Sequence, residues 1–258
     1  MDWSRAKNIV IGMLVLVNLF LLATLGYLKY TEASNFRESV NGTVRVLKSR
    51  GIEVDESLIV KLRDDRRLCV VVRSRETEAD VAAAFLGETE LSGSGGSDRY
   101  RSGSGTLSWL PGGIFSASFR ADAASLREKL ASLPLSDTAS VSSDGGTLCQ
   151  YIDGYPVFNC TVGYAFGTDG GCTLSGRVCL GEPQPASDAE PMGLCGVLID
   201  YASIVSGLAI ERIDAIDPGW VAQTLPGAGV RLVPVWRITG SGVVTYVNAL
   251  DGSAVLAE

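Results

Sequence analysis

The 258-residue chain contains no histidine. Histidine is the side chain that most often acts as a general base near neutral pH, and it is the commonest metal ligand. Its absence excludes Ser-His-Asp and Cys-His nucleophile activation and any histidine-ligated zinc. The sequence also lacks a G-x-S-x-G motif, a P-loop, and a dinucleotide-binding glycine pattern between a strand and a helix. We therefore predict no enzymatic activity, no cofactor and no metal site.

Basic residues are fewer than acidic ones. The chain has 22 Lys and Arg against 29 Asp and Glu, which gives a formal net charge of −7. Nucleic acids and anionic membrane surfaces both attract basic patches. This charge balance argues against nucleic acid as a partner.

Apolar residues make up 46% of the chain, and many of them lie in one uncharged run, IVIGMLVLVNLFLLATLGYL, at residues 9–28. Twenty helical residues cover about 30 Å, the thickness of the hydrocarbon core of a bilayer. A cleaved signal peptide is the alternative, but its apolar region is shorter, about 7–15 residues, and a small-x-small site follows it. The residues GYLKYTEAS offer no convincing site of that kind. We predict an uncleaved transmembrane helix at residues 9–28.

The orientation of this helix follows from the sizes of its two flanks. Arg5 and Lys7 precede the span, and Lys29 and Arg37 follow it, so the positive-inside rule gives nearly a tie. Residues 1–8 are too few to fold as a domain. We therefore expect a single pass through the cell membrane, with a cytoplasmic N-terminal tail and an acidic, extracytoplasmic C-terminal part.

Several stretches after the span predict helices. The first carries apolar residues at steps of four, four and three, namely Phe36, Val40, Val44 and Leu47, and Gly51 can end it. Residues 76–87 and 122–133 predict two more. Residues 192–210 predict a core helix rather than a second span, because Asp200 in the middle would cost about 3 kcal/mol on insertion scales.

The remaining stretches are strand-like, and no βαβ alternation connects them. This pattern predicts an α+β fold in which antiparallel sheets pack on helices. Residues 91–105 are rich in Gly and Ser and indicate a long hairpin loop or a mobile segment. Residues 134–146 contain few apolar side chains, which predicts a linker. We therefore predict two small extracytoplasmic modules, at residues 29–138 and 139–258.

The six cysteines contain no C-x-x-C spacing, so a zinc knuckle is poorly supported. Outside the membrane a disulfide is the natural use of cysteine. If Gly167 pairs with Cys172 across the turn between two strands, Cys160 falls opposite Cys179, and a one-residue slip destroys that match. We predict a disulfide between Cys160 and Cys179. Buried free thiols are the alternative.

The transmembrane segment contains polar and small residues. Asn18 lies at its midpoint, the most costly depth for an amide. On a helical wheel, Gly12, Leu19, Ala23 and Gly26 fall within about 60° of one another and permit close helix packing. Asn18 lies about 120° from Gly12 on the same wheel. These five residues are the predicted partner-binding positions in the membrane. The alternative is that the apolar span simply tolerates one Asn, without a role in binding a partner.

A β-hairpin is predicted at residues 230–253, with a loop of Gly240 and Ser241 that places Trp236 opposite Thr245. One face of the hairpin is apolar, and we expect it to pack on the helix at residues 192–210. This face holds Leu232, Pro234, Trp236, Ile238, Val243, Val247 and Ala249. The other face is mixed and suits a neighbouring domain or a partner. Its candidate recognition residues are Arg231, Arg237, Tyr246 and Asn248.

Three stretches resemble the YycI-type regulatory proteins of Gram-positive bacteria. They are MDWSRAKNIVIGMLVLVNLFLL at the start, DGYPVFNCTVGYAF at residues 153–166, and LVPVWRI with GVVTYVNALDG near the end. They occur in the family's order and cover roughly a third of the chain, whereas residues 30–145 match only in general pattern.

This resemblance implies a membrane-anchored accessory regulator with two PepSY-like extracytoplasmic modules. Such a protein works beside a YycH-like protein and restrains a sensor histidine kinase of the WalK type, which controls cell-wall metabolism through the WalK/WalR (YycG/YycF) two-component system. Contact is made largely through transmembrane helices. Two alternatives remain: an anchored PepSY-type module that binds a ligand or inhibits a peptidase, and a membrane-tethered wall enzyme.

Overall fold

The structure is a computed structural model. It describes residues 3–59, 64, 66–94, 97–136, 138–226 and 229–257. Within these residues the chain forms four α-helices and thirteen β-strands. The helices are α1 (Trp3–Ser49), α2 (Arg75–Leu86), α3 (Ala123–Leu130) and α4 (Leu194–Ile204). The strands are β1 (Cys69–Val71), β2 (Glu90–Ser94), β3 (Ser97–Ser102), β4 (Gly105–Leu110), β5 (Ile114–Arg120), β6 (Gly146–Ile152), β7 (Tyr155–Phe166), β8 (Gly171–Arg177), β9 (Gln184–Pro185), β10 (Ile213–Thr224), β11 (Val230–Gly240), β12 (Val243–Asn248) and β13 (Ala254–Val255).

The strands join into one sheet in the order β13-β12-β11-β10-β7-β8-β5-β4-β3-β2, with β1 beside β11 and β9, and β6 beside β7. Neighbouring strands run antiparallel, except that β10 meets β7 in parallel at the single pair of Trp220 and Val157. The predicted α+β class with antiparallel pairing is confirmed.

Strands from both halves of the chain share this sheet. β5 pairs with β8 along its whole length, from Ile114 opposite Arg177 to Arg120 opposite Gly171. The segment at residues 134–146 packs against the rest of the fold. Val141, within it, and Leu133, just before it, are buried. Arg127 donates a hydrogen bond to the Val141 carbonyl at 2.7 Å. The division into modules at residue 138 stays a prediction.

Four hydrophobic clusters lie against the sheet among the described residues; the smallest contains Val221, Val233 and Val235, and the other three are larger. The first core joins α2 and α3 to β3, β4, β5, β7 and β8, through Val81, Phe85, Leu107, Trp109, Phe115, Leu126, Leu130 and Leu174, among others. The second core joins α1 and α4 to the closing strands, through Val40, Leu47, Val197, Leu198, Tyr201, Trp236, Ile238 and Val247, among others. The middle core lies between them and contains Val71, Val157, Cys160, Cys179, Trp220, Ala222, Val230 and Leu232.

Side chains complete the junction between β10 and β7, where backbone pairing is limited to one position. The Asn159 amide donates to the Ala222 carbonyl and accepts from the Ala222 N–H, both at 2.8 Å. Arg66 donates to the carbonyl of Gly219, and Arg177 donates to that of Ala222 at 2.9 Å. Because buried backbone groups must find partners, Asn159 and Arg177 take the place of missing ladder bonds at Ala222. Arg66 instead bridges Gly219 and its β11 partner Val235, to whose carbonyl it also donates at 2.9 Å.

The prediction of a long loop or mobile segment at residues 91–105 is wrong. These residues contain most of β2, all of β3 and the first residue of β4. Glycine and serine are poor strand formers, yet Asp98 and Tyr100 alternate with exposed residues and are buried. Gly93 is required by the pairing, since a Cβ there would lie 2.2 Å from the Ser97 carbonyl oxygen. Burial of one face therefore overrides the low strand propensity.

The closing hairpin turns one residue later than predicted, which shifts the cross-strand partners by two residues. Its loop is Ser241 and Gly242, both at positive φ (47° and 81°), and Gly240 pairs with Val243 while Trp236 pairs with Val247. Positive φ at both central positions is what a type I′ turn requires. A shift of two residues preserves the side-chain alternation, so the predicted faces hold.

The apolar face of the hairpin packs as predicted except at Val243, which is 42% exposed beside the turn. Trp236, Ile238, Val247 and Ala249 join the second core with side chains of α4. α4 itself is a core helix with Val197, Leu198 and Tyr201 buried, as its sequence predicted. Leu232 belongs instead to the middle core.

Replacing Trp236 by Ala tests this assignment of faces. The side chain is 2% exposed, and removal of a buried Trp costs about 3–5 kcal/mol. Arg237→Ala, on the opposite face and partly exposed, should cost much less. Thermal unfolding of the full-length protein in detergent checks both. Unfolding of Trp236→Ala at the wild-type temperature, with Arg237→Ala unfolded, would mean that the faces are reversed.

Candidate functional site: the helix that joins the apolar span to the core

The first functional feature is the continuity of α1. The sequence predicts a span at residues 9–28 and a separate helix that begins near residue 32, but the structure makes them one helix of 47 residues. At 1.5 Å per residue its length is about 70 Å. No proline occurs in it, and the hydroxyl groups of Thr31 and Ser39 donate to the carbonyls of Tyr27 and Asn35 within the helix. Nothing in the juxtamembrane sequence therefore ends the helix.

The N-terminal half of α1 is apolar and uncovered. An 18-residue window of this helix has a mean hydropathy of 2.2 and none of it is buried, so the helix is long and apolar enough to cross a membrane. Tyr27 and Tyr30, exposed at 70% and 75%, follow the apolar run. Tyrosines at this position suit the water interface of a bilayer. The helix is compatible with a single-pass membrane anchor.

The five predicted contact positions in the span all lie on the free surface of α1. Gly12, Asn18, Leu19, Ala23 and Gly26 are exposed, and a Cβ added at Gly12 or Gly26 would meet no atom within 4 Å. The structure brings them together only as neighbours on one helix. Their role in binding a partner stays a prediction.

The polar groups of the span differ in their hydrogen bonding. The Thr24 hydroxyl donates to the Phe20 carbonyl at 2.8 Å, inside its own helix. The Asn18 amide has no hydrogen-bond partner among the described residues, and Asn18 is exposed. An amide in hydrocarbon needs a partner, so Asn18 is the one of these two groups that another helix would satisfy.

The C-terminal half of α1 is part of the folded core. Val40, Thr43 and Leu47 are buried, at 7%, 2% and 0% exposed, and Phe36 and Val44 pack beside them against α4. The predicted spacing of these apolar residues is therefore confirmed. Arg50 adds a hydrogen bond to the Ser203 hydroxyl at 3.1 Å.

The end of α1 is fastened to the sheet. Gly51 adopts a φ of 81°, the Ile52 N–H donates to the Leu47 carbonyl at 3.0 Å, and the Gly51 N–H donates to that of Lys48 at 3.1 Å. This is the Schellman arrangement that glycine permits. The next residue, Glu53, exchanges hydrogen bonds with the backbone of Glu211 and Ile213 at 2.8 Å each. The end of α1 is therefore hydrogen-bonded, through Glu53, to the backbone at the start of β10.

The predicted recognition face of the closing hairpin is partly covered. Arg237 and Tyr246 are cross-strand partners. The Arg237 guanidinium lies 4.6 Å from the ring centre of Phe158 and pairs with Asp217 at 2.8 Å, and the rings of Phe158 and Tyr246 are 5.4 Å apart. Sequence reasoning missed Phe158 and Asp217, since neither β7 nor β10 was expected beside this hairpin.

Two other members of the predicted recognition face lie elsewhere. Asn248 accepts a hydrogen bond from the Leu250 N–H at 2.9 Å, so its side chain shapes the following turn. Arg231 is exposed near the far end of β11, opposite Val70 and Gln223. The structure thus places Arg237 and Tyr246 together and separates them from Arg231.

The register on which the cysteine pairing was predicted is wrong by one residue, because Phe166 rather than Gly167 pairs with Cys172. The sulfurs of Cys160 and Cys179 are nevertheless 3.6 Å apart, since the chain leaves the ladder after Arg177. All six cysteines are free thiols, and the disulfide stays a prediction.

The described residues include one small cavity and three open clefts. The cavity, beside Trp109 and Cys179, has a volume of about 20 Å³, which is room for about one water. The clefts measure about 670, 660 and 480 Å³, and the second of them has Arg67, Tyr155 and Trp220 in its walls. Among the described residues, no group of three Cys, Asp or Glu side chains is placed to hold a metal ion.

Leu47→Ala should weaken the attachment of α1 to the core. The leucine is fully buried, and its truncation should cost about 2–5 kcal/mol. Lys48→Ala, one residue along the same helix and exposed, is the matched control and should be near neutral. Thermal unfolding of the full-length protein measures both, and equal unfolding temperatures for the two variants would contradict the packing of α1 on α4.

The chain matches no family model and no curated protein. A solved structure with some similarity is that of an uncharacterized protein from Eubacterium rectale ATCC 33656, which is 10% identical. The match covers 75% of this chain and 86% of that one, with a TM-score of 0.40. Similarity of this degree identifies no family.

Proposed function

We propose that the protein is a membrane-anchored accessory regulator of a sensor histidine kinase of the WalK type, which controls cell-wall metabolism. In this proposal it acts mainly through its transmembrane helix and inhibits the kinase. The observation that carries this proposal is the double role of α1, whose N-terminal half is free and apolar while its C-terminal half is buried in the second core. The resemblance of three sequence stretches to YycI-type proteins supplies the identity of the partner.

A continuous helix suits this role for a physical reason. Lipid provides no hydrophobic drive for helices to associate, so contacts within the membrane depend on close packing and on polar groups. α1 offers small residues at Gly12, Ala23 and Gly26 and an unsatisfied amide at Asn18 on an uncovered surface. Because the same helix is fastened to β10, the fold outside the membrane and the contact inside it are linked.

The part beyond the span is extracytoplasmic in this proposal and consists of two PepSY-like modules. A YycH-like protein is the expected second partner. The surface around Arg237 and Tyr246 is the candidate for contact with it, and Arg231, at the far end of β11, is a separate candidate position. Pairing of β5 with β8 would join the two modules of this proposal in one sheet.

An anchored PepSY-type module that binds a ligand or inhibits a peptidase is the alternative. The open cleft beside Tyr155 and Trp220 is the observation that favours it. A small-molecule site is commonly a mostly apolar concavity of about 300–1,000 Å³ with a few polar groups. The cleft has that volume, and its walls combine apolar surface from Tyr155 and Trp220 with the charged side chains of Arg66, Arg67, Asp153 and Glu182.

Asn18→Leu tests the leading proposal. The variant should insert normally, because leucine is more apolar, but should lose an interhelical polar contact. Such contacts contribute about 0.6–2 kcal/mol, so association with the kinase should fall about three- to thirty-fold. Crosslinking and co-purification of the full-length protein from membranes measure the loss.

Two variants control this experiment. Asn18→Gln keeps an amide at the same position and should retain part of the association. Thr24→Leu removes a polar group that is already satisfied within its own helix and should change little. Unchanged crosslinking of Asn18→Leu to the kinase, or an equal loss in Thr24→Leu, would count against a specific contact at Asn18.

A further inference from the structure

Two buried thiols lie side by side in the middle core. The sulfur of Cys160, on β7, is 3.6 Å from that of Cys179, and the two residues are 0% and 3% exposed. A disulfide bond is about 2.05 Å long, so the sulfurs must approach by only about 1.5 Å to form one.

The position of Cys179 is fixed by directional bonds. The Gln150 side chain accepts from the Cys179 N–H at 2.9 Å and donates to its carbonyl at 2.8 Å, and Gln150 is 1% exposed. Val178 and Leu180, on either side, point into the first core. The chain is therefore held with the Cys179 sulfur turned toward Cys160.

A buried cation lies beside the pair. The Arg177 guanidinium donates to the carbonyls of Gly112 and Ala222 and to the Thr224 hydroxyl, at 2.8–2.9 Å. It forms no ion pair with a carboxylate among the residues that the structure describes. The hydrogen bond with Cys160, and then the charge of Arg177, lower the pKa of the Cys179 thiol despite its burial. The pKa of Cys160 is raised, by the same hydrogen bond and by burial.

We infer that Cys160 and Cys179 are an oxidation site, where exchange with a low-molecular-weight or protein disulfide joins β7 to the segment after β8. The Cys179 thiolate attacks one sulfur of the reagent disulfide and releases the first reagent thiolate. The Cys160 sulfur, after losing its proton, attacks the Cys179 sulfur and releases the second. The two electrons and two protons of the protein thiols end on the two thiols of the reduced reagent. This inference does not depend on the proposed regulatory function.

The access of the disulfide reagent to Cys179 determines when the exchange can occur. The cavity beside Cys179 measures about 20 Å³, enough for about one water and too small for a disulfide reagent. The first exchange step therefore takes place while residues 178–181 are detached, during folding or local opening, and the second step follows when they close and return Cys179 to Cys160. Once the chain closes, the same burial protects the bond from reductants.

The disulfide would crosslink the middle of the sheet, where β7 lies between β8 and β10. Cys160 lies on the long strand that pairs with β8, and next to it Asn159 bonds to β10. Cys179 lies in the segment between the first and middle cores. Oxidation therefore holds the first core, the middle core and β7 in one fixed arrangement.

The experiment is refolding of the full chain into detergent micelles with oxidised glutathione, followed by alkylation of the remaining thiols in denaturant. Two of the six thiols should escape alkylation. Cleavage after Arg, Asp and Glu puts each cysteine on its own peptide, and the bridged pair should be residues 154–169 and 178–182. For a loop of this length, the oxidised protein should unfold roughly 6–12 °C above the reduced one.

Serine variants distinguish the Cys160–Cys179 disulfide from disulfides between other cysteines. Cys160→Ser and Cys179→Ser should each leave all five remaining thiols open to alkylation and should lose the shift in unfolding temperature. Cys195→Ser, outside the pair, should keep the shift. Alkylation of all six wild-type thiols, or a bridge between any other two peptides, would overturn the inference. The peptide map of the wild-type chain decides the matter even where a serine variant fails to fold.

Discussion

The contact on which the architecture depends is the packing of the C-terminal half of α1 against α4. Val40, Thr43 and Leu47 are buried there, and the opposite side of α4 rests on Trp236 and its neighbours. A helix that begins in an apolar span would otherwise be free to swing about the end of that span. Its burial in the second core, with the Gly51 cap and the backbone bonds of Glu53, makes it an integral element of the fold.

A second constraint arises where β10 meets β7. A strand paired fully on one side and at one position on the other leaves carbonyl and amide groups without partners. Asn159 and Arg177 supply the missing bonds at Ala222, and Arg66 donates to the carbonyls of Gly219 and Val235, which face each other on β10 and β11. Arg66 also lies 5.3 Å and 6.0 Å from the ring centres of Trp236 and Trp220, so one side chain contacts both the second and the middle core. Continuity of the sheet is thus maintained by long polar side chains as well as by backbone pairing.

The parts of this fold that follow from periodicity could be predicted. The apolar residues of α1 recur at helical spacing, and the two faces of the closing hairpin survived a two-residue error because side chains alternate with a period of two. The proximity of Cys160 and Cys179 was reached through a register that is wrong by one residue. It holds because Cys179 lies beyond the ladder, where strand register no longer applies.

Other features depend on contacts that no local pattern reveals. β2 and β3 are rich in glycine and serine, and they are strands because Asp98 and Tyr100 find buried positions against distant residues. Phe158 reaches the hairpin's outer face from β7, which is far away in sequence, and Asp217 reaches it from β10, a strand that the sequence analysis did not identify. The continuity of α1 was missed because the span and the amphipathic helix were judged by different criteria, although no helix-ending residue separates them.

That continuity is tested most directly by amide hydrogen exchange of the full-length protein in a lipid bilayer. If α1 is one helix, the amides of residues 29–39, between the span and the core, should exchange at least about a hundredfold more slowly than an unstructured peptide, an opening free energy of about 2.7 kcal/mol. Exchange of these amides at the unstructured rate, with residues 40–48 still protected, would reveal a hinge and contradict a direct link between the membrane contact and the folded core.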